Sequence, residues 1–251
     1  MSKAADVAAI IIEEDPVKAN FLAIKACARQ IIFCIDVSSE MNTKLSPSAD
    51  GGLANTNLES STRLGTVQRF LKRYIRMNKL VGNINDKYAV VLLKEKAEWW
   101  KPFTSDEQTA CSYLDELREE VKNKEYERLD LGSLMKVIET EADLKNRMDF
   151  TQAIVVYSRT NIIPDLETSH AECFEIRNLP NVTLDVLFLH NVDDRAQPVF
   201  DVWTSLDSER VPGWYYEIAN VLGQDKISKA LCQLLAHPLQ RGDQERITNL
   251  L

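Results

Sequence analysis

The chain is poor in the residues on which most enzyme sites and metal centres are built. It has 3 histidines, 5 cysteines and 8 glycines in 251 residues. His170, His190 and His237 stand without HxxE or HExxH spacing and without cysteines placed to join them, which excludes the common zinc patterns. Cys27, Cys34, Cys111, Cys173 and Cys232 form no CxxC pair, and three of them lie in apolar surroundings. They read as reduced, buried thiols of a nuclear or cytosolic protein and not as a disulfide framework. No Walker sequence and no GxSxG occurs, so the phosphate cradle of nucleotide hydrolases and the nucleophile elbow of α/β-hydrolases are both missing. Positive charge is in deficit, 30 Lys and Arg against 38 Asp and Glu. A net charge of −8 argues against nucleic acid and anionic membranes as direct partners. Long hydrophobic runs are also lacking. Ala4 to Ile12 is apolar but short, contains Asp6 and runs into Glu13-Glu14-Asp15, so neither a signal peptide nor a membrane span is expected there.

What is present is ordinary globular material, 45% hydrophobic and 27% charged, enough for one large α/β domain with appendages. Ile31-Ile32-Phe33-Cys34-Ile35 is an unbroken apolar run of the kind that forms a strand buried on both faces, and Asp36 ends it with a carboxylate. Similar runs at Tyr88–Leu93, Ala153–Tyr157 and Thr183–Leu189 predict further strands, with Ala97–Phe103 as a hairpin partner at the sheet edge. Val199–Thr204 reads as one more strand. Between them, helical faces recur at Leu64, Val67, Leu71, Tyr74 and Ile75, with Ser61 or Thr62 as cap, and at Ala110, Tyr113, Leu114, Leu117 and Val121 after Ser105-Asp106-Glu107. Others are expected at Leu131–Ala142, Ala171–Arg177, Gly213–Leu222 and Lys226–Leu235, with a break at Gly223, and a short one ahead of the first strand. The polar stretch from Asn42 to Ser60, with Pro47, Gly51 and Gly52, is expected to be a mobile loop.

Buried strands alternating with amphipathic helices imply an α/β fold with a doubly wound, mostly parallel sheet of Rossmann type. Ligands of such sheets bind beyond the carboxyl ends of the strands, where Asp36 and Ser158 would lie. There the strand, Asp36, Ser38 and Glu40 together resemble the opening of von Willebrand factor A domains. The resemblance implies a divalent-cation site made of the Asp, two alternate Ser, a Thr before a helix, and an Asp after the fourth strand. Asp36 and Ser38 match it, and Glu40 replaces the second Ser. Asp130-Leu131-Gly132-Ser133-Leu134 matches the helix entry, but Leu129 takes the place of Thr. Ser158-Arg159-Thr160 stands where Thr-Asp-Gly belongs. A guanidinium at the last carboxylate position repels a cation and would pair with Asp36 instead. The expectation is therefore a degenerate site (Asp36, Ser38, Glu40, Leu129, Ser158, Arg159) with no metal, no cofactor and no catalytic residues. Two other readings remain: a metal-dependent ligand-binding A domain in which Glu40 ligates and Arg159 swings out, and a hydrolase with Ser38 as nucleophile and His190 as base.

Near the carboxyl terminus, Leu234-Leu235-Ala236-His237-Pro238-Leu239-Gln240-Arg241, taken with Ile35–Met41, resembles the family of von Willebrand A-like scaffold subunits shared by BRISC and the breast-cancer type 1 susceptibility protein A complex. Over residues 25–241 that resemblance implies a non-catalytic adaptor of a lysine-sixty-three-specific deubiquitinase assembly in the cytoplasm and nucleus. It also implies binding to the ubiquitin-conjugating-enzyme-variant domains of the brain and reproductive organ-expressed protein, and through that protein to a zinc isopeptidase and its inactive scaffold partner. The docking element it implies is a Pro-x-x-Arg tail, His237, Pro238, Leu239, Gln240 and Arg241. The domains expected are an amino-terminal extension at 1–27, the von Willebrand A-like domain at 28–236, and a partner-binding tail at 237–251 that joins no core.

Overall fold

In the computed structural model, residues 28–45, 62–121, 124–144, 149–166, 170–220 and 223–244 are described. The expected extension at 1–27 with its helix, most of the loop at 42–60, and the end of the tail fall outside them. β1 (Arg29–Asp36) is buried along its whole length, as its unbroken apolar run requires. On one side it pairs in parallel with β2 (Lys87–Leu93), which pairs antiparallel with β3 (Ala97–Thr104) at one edge. On the other it pairs in parallel with β4 (Phe150–Tyr157), followed by β5 (Val182–His190) and β6 (Tyr215–Ala219). The order is β3-β2-β1-β4-β5-β6, with β3 the antiparallel strand of this sheet.

Alternate residues of β1 feed two cores. Ile31, Phe33 and Ile35 pack with α1 (Arg63–Val81), α2 (Glu107–Glu120) and α6 (Gly223–Gln233). Ile32 and Cys34 pack on the opposite face with α3 (Leu131–Glu141), α4 (His170–Arg177) and α5 (Ala196–Ser205). Side-chain caps start three of these helices: Thr62 accepts from Gly65 N, Asp106 from Thr109 N, and Asp130 from Ser133 N. Each cap satisfies an amide that the first helical turn leaves without a carbonyl.

Two expectations are corrected. Val199–Thr204 is not a strand but part of α5, whose Val199 and Trp203, one turn apart, both lie at 0% exposure against the sheet. The helix expected from Gly213 to Leu222 is not formed over its described part, 213–220, because Tyr215–Ala219 forms β6 and covers the open side of β5. Gly213 makes this approach possible. A Cβ there would stand 1.8 Å from the Leu184 carbonyl oxygen, inside any van der Waals contact.

Candidate functional site

Beyond the carboxyl ends of β1 and β4, Asp36 is completely buried. Its Oδ1 accepts from Ser38 N at 3.0 Å and from Arg159 Nε at 3.1 Å, while Oδ2 accepts from Ser158 N at 3.0 Å. The Arg159 guanidinium spends its other donors on backbone oxygens: Arg128 at 2.8 Å, Leu93 at 2.5 Å and Lys94 at 2.9 Å. It also lies over the Tyr126 ring, 4.7 Å from the centroid. Leu129 faces the core at 0% exposure and offers no oxygen from its side chain. Ser38 Oγ and Ser158 Oγ are buried without a hydrogen-bond partner among the described residues.

These residues do not fit a divalent cation. Hard cations need several oxygen ligands converging on one point, and here a cation of the protein's own already holds Asp36. A metal-dependent A domain would require expelling a guanidinium that makes four hydrogen bonds.

On the flank of the site, Glu40 and Thr160 of the motif are joined by residues that the motif did not reveal, Arg63, Asn191 and Asn220. Glu40 accepts from Thr160 N at 3.1 Å and from Thr160 Oγ1 at 2.9 Å, and pairs with Arg63 at 3.3 Å. Arg63 is buried and also donates to Ser158 O, Asn191 Oδ1 and Asn220 Oδ1. Burial lowers its pKa, and the neighbouring Glu40 carboxylate opposes that shift. One signal was legible. A cation in the first turn of a helix opposes the helix dipole, and such a broken rule marks a residue held for another reason. The hydrolase constellation is not assembled either. The His190 ring meets Asn191 O at 2.6 Å through Nδ1 and Glu217 at 3.3 Å through Nε2, with Ser38 bonded to neither.

A second buried polar cluster lies at the opposite, amino-terminal end of the strands. Arg29 pairs with Asp86 at 3.0 Å and donates to Gln152 Oε1. Gln152 Nε2 donates to Asp185 Oδ2 at 2.8 Å. Arg241 then completes the cluster, because its guanidinium holds Asp185 with two bonds, at 2.5 and 3.1 Å. It also donates to Leu234 O and Ala236 O and lies over the Trp214 ring.

The expected tail is thereby corrected: it does join a core. Pro238 is buried within a 3-10 turn, Pro238–Gln240, and the Arg241 side chain is only 2% exposed. His237 caps that turn, accepting from Leu239 N at 3.3 Å through Nδ1, and its ring lies 4.8 Å from that of Phe150. What the turn presents outward is Leu239, 41% exposed, and Gln240.

Strand order, the Asp36 position at the end of β1 and the helices on both faces define a von Willebrand factor A fold. Among solved structures the chain superposes on a von Willebrand factor type A protein from Catenulispora acidiphila with a TM-score of 0.54 at 12% identity, covering 86% of this chain and 44% of that one. The SpRpn10 VWA domain gives 0.52 at 14% identity, over 87% of this chain and 99% of that domain. In sequence the chain is similar to the proteins called BRISC and BRCA1-A complex member 1. It is 26% identical over 227 residues to that of Xenopus tropicalis, covering 86% of this chain and 67% of the relative. To that of Homo sapiens it is 23% identical over 229 residues, covering 86% and 65%. The chain thus spans about two thirds of the length of these relatives. No family model matches it.

Proposed function

We propose that this chain is a non-catalytic scaffold subunit of a lysine-sixty-three-specific deubiquitinase assembly of BRISC and BRCA1-A type. The observation that carries the reading is Arg159 lying on Asp36: the place where an A domain would bind metal is filled from within. Similarity to complex members along 86% of the chain supports the kind of assembly. The partner proposed is the brain and reproductive organ-expressed subunit, contacted at His237–Arg241, with the zinc isopeptidase and its inactive scaffold partner reached through it, in both cytoplasm and nucleus. The turn suits such a contact because its interior residues, Pro238 and Arg241, hold its outer ones, Leu239 and Gln240, in one geometry before binding. Preorganisation of this kind lowers the ordering cost of association.

The test is titration of the purified chain into the purified partner subunit by calorimetry, with Leu239→Asp and Gln240→Ala combined. Both positions are exposed, so the thermal midpoint should stay within a degree or two of wild type. Affinity should fall about tenfold or more, equivalent to about 1.4 kcal/mol. Unchanged affinity would remove the turn from the interface.

A further inference from the structure

The two edges of the sheet are treated differently. β3 carries Lys101 and Pro102, residues that blunt an edge against further pairing. β6 carries neither, and one amide is already docked on its outer side. The Gln244 side chain donates Nε2 to Tyr215 O at 2.9 Å and accepts at Oε1 from Tyr215 N at 3.1 Å. That is the pair of bonds a neighbouring strand would make. In a parallel strand both backbone groups of a residue face one way and those of the next residue face the other. Glu217 and Ala219 therefore turn their amides outward, as Tyr215 does.

Beside this edge a groove of about 370 Å³ runs between β6 and α6; its lining includes Tyr216, Glu217, Ile218, Lys226, Lys229 and Gln233, so two ammonium groups outnumber the one carboxylate. Tyr216 Oη is buried and makes no hydrogen bond among the described residues, and burial raises its pKa. Lys226 and Lys229 are exposed and pair with no carboxylate among the described residues.

We propose that the β6 edge and this groove receive an extended, acidic segment of a partner protein by strand addition, which is a contact separate from the His237–Arg241 turn and does not depend on it. The outward amides at Glu217 and Ala219 call for an extended chain, and Gln244 shows that the edge accepts amide groups in ladder geometry. Two exposed ammonium groups on one groove, paired with no carboxylate among the described residues, call for an acidic segment. A second copy of this chain fits poorly, since a two-fold contact would set the same two lysines against each other.

The probe is an acetylated, fluorescently labelled heptapeptide alternating valine and glutamate, titrated against the full chain by anisotropy. The same peptide with lysine for glutamate serves as comparison. The glutamate peptide should bind about tenfold or more tightly than the lysine one. Glu217→Pro removes an outward N–H and no ladder bond, so it should abolish binding while the fold survives. Lys226→Glu with Lys229→Glu should reverse the peptide preference and serves on its own if Glu217→Pro unfolds. Equal binding of both peptides, or binding indifferent to these substitutions, overturns the proposal. So does a full chain that fails to bind when one ending at Gln244 succeeds, because residues 245–251 would then own the edge.

Discussion

Arg159 and Asp36 face each other with 1% and 0% of their side chains exposed. Deleting one member of such a pair strands the other charge in the interior, which costs about 3–5 kcal/mol. Arg159→Ala should therefore lower unfolding stability by roughly that amount in urea titrations. Arg159→Asp should add no thermal shift with Mg²⁺ or Mn²⁺, since Leu129 still supplies no ligand. A magnesium-dependent rise in the midpoint would show that the ligand set is more complete than the geometry implies. His237 titrates in the other cluster. Burial first, then the nearby Arg29 and Arg241 cations, push its pKa from 6.5 to about 4, against the pull of Asp86. Above pH 6.5 the ring is neutral in both folded and unfolded chains and contributes no slope. Between 6.5 and 4 the unfolded chain takes the proton first, so stability should fall as the pH falls, and level off for this group below 4. The protonated ring would also lose its acceptor for Leu239 N. The thermal midpoint of His237→Gln should decline less than that of wild type across this range. Parallel curves would count against the assignment. Asp36, Ser38 and Arg159 were legible at this scale because a motif names them. No motif names Arg63 or Asp185; their signals are local misfits, a cation in the first turn of α1 and a carboxylate inside the apolar run Thr183–Leu189.

Most elements read correctly from sequence have a pattern that admits one period, while β3, α4 and α6 were found from their place beside such elements. β1, β2, β4 and β5 are continuous apolar runs, and α1, α2 and α3 repeat at three and four residues. α5 and β6 were exchanged for a physical reason. Val199-Phe200-Asp201-Val202-Trp203-Thr204 is rich in strand formers, but Pro198 sits in a first helical turn, where its missing N–H costs nothing, and the sheet offers Val199 and Trp203 a surface. Tyr215-Tyr216-Glu217-Ile218 became a strand because β5 needed a neighbour, a demand that local periodicity does not carry. Gly213 is the residue on which that pairing turns. Its backbone lies so close to Leu184 O that Gly213→Ala must displace one chain or the other. Overpacking at a site with so little give should cost on the order of 3 kcal/mol. Hydrogen exchange should also show the loss concentrated in β5 and β6. A neutral Gly213→Ala would mean that β6 can slide away freely.

For the whole molecule, the two polar clusters divide the labour. At the carboxyl ends of the strands Arg159 and Arg63 close what would otherwise be a binding site. At the amino ends Arg29, Gln152, Asp185 and Arg241 bind the last turn to the sheet. The resemblance of His237–Arg241 to a Pro-x-x-Arg tail suggested Arg241 as a direct anchor for a partner, whereas the geometry gives it an inward task. A double substitution separates the two roles. Arg241→Ala leaves the fully buried Asp185 carboxylate without its cation and should cost about 3–5 kcal/mol of stability, with weaker binding to the partner subunit as the turn loosens. Adding Asp185→Asn removes the stranded charge while keeping an acceptor for Trp214 N, which Asp185 now holds at 2.9 Å. Stability should then recover by about half or more, as expected for residues coupled in one network. If Arg241 acts by positioning, affinity measured by calorimetry should recover along with stability. If stability returns and affinity does not, the guanidinium reaches the partner directly and must leave Asp185 to do so.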